Sequence, residues 1–187
     1  MNVKRVLPLV LAAALLVLLG GVVSALSAAT VRVHKTPGKI LARQTAVVRR
    51  VNPRLTRRLR ATTWRWQVVL GRRRSHSAAP LSSLRALRFW RHHARRMIRV
   101  AAHPPHMGQW LCIHRYEGGW SDSGDPYWGG LQMDRGFMRS YAPSLLLRRG
   151  WANSWTPLEQ MWVAERAHRS GRGFYAWPNT ARYCGLI

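Results

Sequence analysis

Every acidic residue of this 187-residue chain lies at or beyond position 117: Glu117, Asp122, Asp125, Asp134, Glu159 and Glu165. Residues 1–116 hold 23 of the 31 Lys and Arg residues and no acid, a formal charge of +23, while residues 117–187 carry +2. A stretch without internal counter-charge cannot present the mixed, ion-paired surface of an ordinary globular enzyme. The acid-containing region is therefore where the folded unit is expected. Seven of the ten Trp fall at or after Trp110, which gives that region the bulky apolar area a small core needs.

The first residues read as a targeting segment. Lys4 and Arg5 precede an almost wholly apolar run, Val6 to Leu19, and both Val23-Ser24-Ala25 and Ser27-Ala28-Ala29 offer the small residues a signal peptidase reads. Residues 1–29 are expected to be a signal peptide or an N-terminal membrane anchor, since an apolar run reaching Ala29 is long enough to span a bilayer. Arg32, Lys35 and Lys39 follow at once and blunt the charge asymmetry that orients a span. Either way the chain is expected to be secreted or held at the cell surface.

Export makes the two cysteines, Cys112 and Cys184, readable. Outside the cytosol an even pair is most simply a disulfide. It would close a loop of about 70 residues, worth about 4 kcal/mol in the chain-entropy view. The competing reading groups Cys112 with His103, His106 and His114 as zinc ligands, but their spacing fits no compact zinc pattern and Pro104-Pro105 stiffens its middle. No metal and no cofactor is expected.

Residues 30–107 are read as a basic, Arg-rich linker, helical or disordered. Arg-rich patches interrupt short apolar runs such as Thr45 to Val48 and Gln67 to Leu70, and Gly71, Ser75 to Ala79 and Pro80 read as breaks. One part has a helix signature: after a Ser82 or Ser83 cap, Leu84, Leu87, Trp90, Ala94, Met97 and Ile98 recur at spacings of three and four among arginines. Such a face could lie on an anionic membrane, and the positive charge suits anionic wall polymers as well. No zinc-finger spacing, nucleic-acid signature or phosphate loop accompanies it, so no nucleic-acid partner is expected.

Chemistry can be argued in residues 108–187. Trp110, Ile113 and Glu117 fall on one helical face, and Gly118-Gly119 ends the helix. Glu117 then sits at a helix C-terminus beside Tyr116, Trp120, Tyr127 and Trp128, where the helix dipole and desolvation favour the protonated carboxyl that a general acid requires. Tyr127-Trp128-Gly129-Gly130-Leu131-Gln132 brings aromatic faces, a close backbone and an amide together, the groups that bind sugars. Thr156-Pro157-Leu158-Glu159 is a capping box with proline at the first helical position, and its helix should stop near Gly171. Trp162 and Trp177 are expected in the core. Asp134 reads as a helix cap and Glu165 as part of a packed helix. Asp122 and Asp125 are the candidates for a second catalytic carboxylate, because they lie near Glu117 in a loop able to reach a groove.

Taken in order, Cys112, Tyr116-Glu117-Gly118-Gly119-Trp120, Tyr127 to Met133, Thr156 to Gln160, Val163-Ala164-Glu165, Ala176-Trp177-Pro178 and Cys184 resemble the transglycosylase-like domain of actinobacterial resuscitation-promoting factors. The resemblance covers about residues 108–187. It implies a mainly α, small lysozyme-like domain, action on peptidoglycan glycan strands, and Glu117 as the catalytic glutamate. Trp120, Tyr127, Trp128 and Gln132 would then line the glycan groove. The chain departs from that family in lacking a Ser between the Glu and the Gly-Gly pair and in carrying its cysteine five residues before the Glu. The expected activity is that of a lytic transglycosylase or muramidase cutting the MurNAc-GlcNAc β-1,4 bond. A non-catalytic peptidoglycan-binding module and a cationic membrane-active protein are the alternatives.

Overall fold

The computed structural model describes residues 51–187, so the expected signal or anchor segment, residues 1–29, and the first part of the expected linker lie outside the described residues. What is described is mainly helical, with one disulfide joining Cys112 to Cys184. Among the described residues no helix is long and apolar enough to cross a membrane.

The basic segment folds in part as a helical hairpin. Helix α1, Pro53–Val69, starts with proline in its first turn and with Asn52 accepting the Arg54 N–H at 2.9 Å, the arrangement that satisfies otherwise orphaned donors. It ends at Gly71, whose φ of 69° is cheap only for glycine. Helix α2, Leu84–Ala101, is capped by Ser83, which accepts the Ala86 N–H at 3.1 Å.

The buried line of α2 is Ala86, Trp90, Ala94, Met97 and Ala101. Leu84 and Ile98, expected on that face, are instead 42% and 48% exposed. Alanines at three of the five buried positions allow α1 to approach closely, and the turn of the helix then carries Leu84 and Ile98 outward.

Residues 53–101, read from sequence as linker, share the core of the rest. Val69, Leu70 and Met97 belong to one apolar cluster with Trp110, Ile113, Met161 and Trp162. The Trp162 indole donates to the Ala101 carbonyl at 2.9 Å, and Arg65 reaches across to Glu159 at 2.7 Å. The arginine runs concealed this from a linear reading, because their side chains point to water while sparse Thr, Ala, Trp and Met residues supply a narrow buried stripe.

Helix α3, Met107–Glu117, leads into a polar loop and a two-stranded antiparallel hairpin, β1 (Tyr127–Trp128) and β2 (Met133–Asp134), in which Tyr127 pairs with Asp134 and Trp128 with Met133. Asp134 caps α4, Arg135–Tyr141, by accepting the Phe137 N–H at 2.7 Å. A short α5, Ser144–Leu147, and a 3-10 turn, Ala152–Ser154, follow.

Helix α6, Pro157–Ala167, is central: every residue from Glu159 to Ala167 except Arg166 is buried. Its capping box is complete, with the Thr156 hydroxyl and the Glu159 carboxylate each meeting the other's backbone N–H. The chain then passes through a π-type turn, His168–Arg172, broken at Gly171 with φ 97°, and ends in α7, Pro178–Tyr183.

Two buried carboxylates pin α6. Glu165 accepts the His106 backbone N–H and the Trp110 indole N–H, both at 2.8 Å. Glu159 takes Arg65 and Arg149 as well as the Thr156 N–H. Burial pushes the Glu159 carboxyl upward, but the Thr156 N–H and the two guanidinium groups outweigh it and hold it below the ordinary carboxyl range.

Candidate active site

Glu117 is the last residue of α3, and its Oε1 accepts the hydroxyl hydrogen of Thr180, from α7, at 2.7 Å. Thr180 is itself buried and also reaches the Trp177 carbonyl at 3.3 Å. The disulfide anchors the same pair of helices. Cys112 lies five residues before Glu117 on α3, and Cys184 four residues after Thr180 at the end of α7, with Cα atoms 6.0 Å apart. The covalent link and the Thr180 to Glu117 hydrogen bond thus hold one helix pair at two successive levels.

Gly118 and Gly119, which follow Glu117, leave room for the Asp122 side chain. Gly118 has φ 153°, and a Cβ there would collide with the Asp122 carboxylate, which accepts the Gly119 N–H at 2.8 Å. The Gly129-Gly130 pair is clasped by buried Gln160. Gln160 accepts the Gly130 N–H at 2.9 Å and donates to the Trp120 and Ala152 carbonyls, each at 2.8 Å. On the other side the His114 ring stacks on Trp120 with centroids 3.9 Å apart and meets the Gly130 carbonyl at 3.0 Å.

Gln132 is the non-glycine residue at positive φ among those described, at 45°, and its amide donates to the Gly129 carbonyl at 3.0 Å. Such a conformation costs about 1 kcal/mol or more and persists where the surroundings dictate it, often at binding sites. It turns the Gln132 side chain back over the loop that carries Gly118.

These elements enclose a cleft of about 400 Å³ lined by Glu117, Tyr127, Gln132, Ala176, Trp177, Pro178 and Asn179, within the size range of small-ligand sites. Of the residues singled out from sequence, it brings together Glu117, Tyr127 and Gln132. Tyr127 is half exposed and free to present its ring.

Trp128 and Trp120 are placed elsewhere. Trp128 is buried in the core, its ring 5.8 Å from that of Trp151 and covered by the Arg135 guanidinium at 5.0 Å. Strand alternation decides this, since neighbours on β1 must face opposite ways and Tyr127 takes the open side. Trp120 is held against His114 and packs on the core.

Trp177 is buried as expected, with its indole N–H on the Leu131 carbonyl at 2.6 Å, yet one part of it forms the cleft wall. Thr180, Asn179 and Gln160 were not legible as site residues. Thr180 follows Pro178 by two positions, and that proline-started helix was the available signal.

Neither candidate for a second carboxylate lines the cleft. Asp122 is committed to the Gly119 N–H, and Asp125 pairs with Arg135 at 2.8 Å on the surface. The Cys112 sulfur is bound to Cys184, which removes it from the set with His103, His106 and His114. Among the described residues no group of three or more His, Cys, Asp or Glu is disposed to hold a metal ion.

A carboxyl with one oxygen fixed by a buried hydroxyl, at the edge of a cleft with an aromatic ring and an amide, can give and take a proton at a bound ligand. Comparison with protein-family profiles, with curated proteins and with solved structures gives no match.

Proposed function

We propose that the cleft receives a peptidoglycan glycan strand and that Glu117 cleaves its β-1,4 bond between MurNAc and GlcNAc, the chain being a secreted or surface-held lytic transglycosylase. The observation that carries this reading is the seating of Glu117: a carboxyl fixed by Thr180 at the rim of a cleft shared with Tyr127 and Gln132. A helix ending in the acid and a short β-hairpin carrying the sugar-binding groups are also what a small lysozyme-like domain needs. The disulfide suits an oxidising compartment.

In this mechanism Glu117 donates its proton to the glycosidic oxygen as the bond to C1 of MurNAc breaks. The resulting carboxylate then takes the proton of the C6 hydroxyl, whose oxygen closes on C1 to give a 1,6-anhydro end. One carboxyl suffices, because the C6 hydroxyl is already held near C1 within the same sugar. Neither Asp122, held by the Gly119 N–H, nor Asp125, paired with Arg135, lines the cleft, and this favours the route over a two-carboxylate hydrolase, whose second carboxylate must face the bound sugar. Tyr127 offers its ring to a sugar face and Gln132 its amide to an acetamido or hydroxyl group.

Incubation with purified peptidoglycan followed by mass spectrometry of the soluble fraction tests the reading. Anhydromuropeptides are expected. Retention on peptidoglycan without any released fragment would instead make the domain a binding module.

A further inference from the structure

The two faces of α2 have different fates. Its apolar line is buried against α1 and the core, while Arg85, Arg88, Arg91, Arg95, Arg96 and Arg99 are all exposed. At 3.6 residues per turn these six cover an arc of about 140° and run about 21 Å along the axis. No residue from 51 to 116 is acidic, and among the described residues none of the six has an ion-pair partner. The array is also fixed in place: Arg65 to Glu159 and Trp162 to the Ala101 carbonyl clamp the hairpin onto the helix at the centre of the domain.

We propose that this face of α2 docks a linear phosphodiester polymer of the polyol phosphate kind, a chain without bases. Guanidinium groups form two-pronged hydrogen bonds to phosphate oxygens, and a row of them along one helix face matches a repeating linear anion. A lipid surface fits less well. A helix lying on a bilayer needs its apolar face for the lipid, and here that face is inside the protein. The two exposed apolar residues of α2, Leu84 and Ile98, stand about 21 Å apart along the axis and form no patch. Single-stranded nucleic acid fits less well too, because such strands are gripped by stacking on exposed rings. On α2 Trp90 is buried, Phe89 is half-buried against Trp90 and His93, and His92 is a single exposed ring where a gripped strand needs several in succession. This assignment rests on the hairpin and is independent of the glycan reading.

The test is a titration of end-labelled poly(glycerol phosphate) with full-length protein, followed by fluorescence anisotropy at several salt concentrations. The Arg88→Gln/Arg91→Gln/Arg95→Gln/Arg99→Gln variant should bind at least about thirtyfold more weakly at low salt. The slope of log affinity against log salt should shrink by about three, the release expected for four lost contacts. The corresponding Arg-to-Lys variant should keep the slope and lose about threefold to tenfold in affinity, which separates loss of charge from loss of the fork.

A matched change of four exposed arginines off this face, Arg57, Arg58, Arg72 and Arg73 to Gln, should cost less than about threefold. An equal loss from that control would overturn the docking face in favour of diffuse charge. So would unchanged binding by the first variant, or tighter binding to an oligothymidylate, to a random-sequence DNA duplex or to vesicles of phosphatidylcholine with phosphatidylglycerol than to the polymer.

Discussion

Thr180 donates its hydroxyl hydrogen to Oε1 of Glu117 at 2.7 Å, from a position where Thr180 is itself buried and leaned against the Trp177 carbonyl. The consequence is a carboxyl with one orientation rather than several. Under the proposed mechanism Thr180 is a positioning residue. Thr180→Val, which keeps shape and removes the donor, should lower kcat by about tenfold to a hundredfold with KM nearly unchanged. It should cost only about 1 kcal/mol of stability. Thr180→Ser should restore most of the rate. Steady-state kinetics on a soluble glycan fragment checks all three, and an unchanged kcat in the valine variant contradicts the positioning role.

The disulfide spans 72 residues and joins the helix that ends in Glu117 to the helix that carries Thr180. Reduction should lower the unfolding free energy by about 4 kcal/mol, through the unfolded state's regained freedom. Thermal melts with and without reductant measure it. A shift of only a degree or two would contradict the prediction.

Buried Glu159 should contribute to the loss of stability in acid. Its carboxyl titrates below its ordinary value in the folded protein, so the unfolded chain binds the proton first as pH falls. The stabilisation is complete above the ordinary carboxyl range near pH 4.5 and is lost as pH drops through the lower folded value. Glu159→Gln should flatten that acid limb. At neutral pH it should cost about 2 to 3 kcal/mol, less than a fully buried pair would, because Arg65 and Arg149 are each 38% exposed. Denaturant unfolding of both proteins between pH 3 and 7 provides the comparison.

Much of this architecture is written in local sequence, and the rest is not, for identifiable reasons. The capping box at Thr156, the Asp134 cap, the end of α3 at Gly118 and the pairing of the two cysteines depend on neighbours or on a single covalent choice. The core role of Trp128 depends on which side of a two-residue strand faces inward, and the stacking of Trp120 on His114 on how the turn after α3 folds back against that helix; aromatic content alone says neither.

Thr180 and Gln160 act on residues 63 and 40 positions away in the chain, so no window on the sequence contains both partners. The hairpin of α1 and α2 was hidden because arginine-rich composition reads as solvated spacer, while its docking rests on a few positions such as Val69, Met97 and Arg65.

The loop acids should be dispensable for chemistry. Asp122→Asn retains an acceptor for the Gly119 N–H, and Asp125→Asn gives up an exposed ion pair worth little. Each variant should keep activity within about threefold of the parent and still release 1,6-anhydro ends. A loss on the order of a thousandfold in either, with reducing-end products, would point to a two-carboxylate hydrolase.

The central claim is that the carboxyl of Glu117 moves the proton, and Glu117→Gln isolates it, because the amide keeps the shape, can still accept from Thr180 and has no acidic proton to transfer. The decisive measurement is mass spectrometry of fragments released from purified peptidoglycan by the parent and by this variant, with thermal melts showing both folded. The account predicts anhydromuropeptides from the parent and a fall of at least about a thousandfold in the variant; release within about threefold of the parent would contradict it.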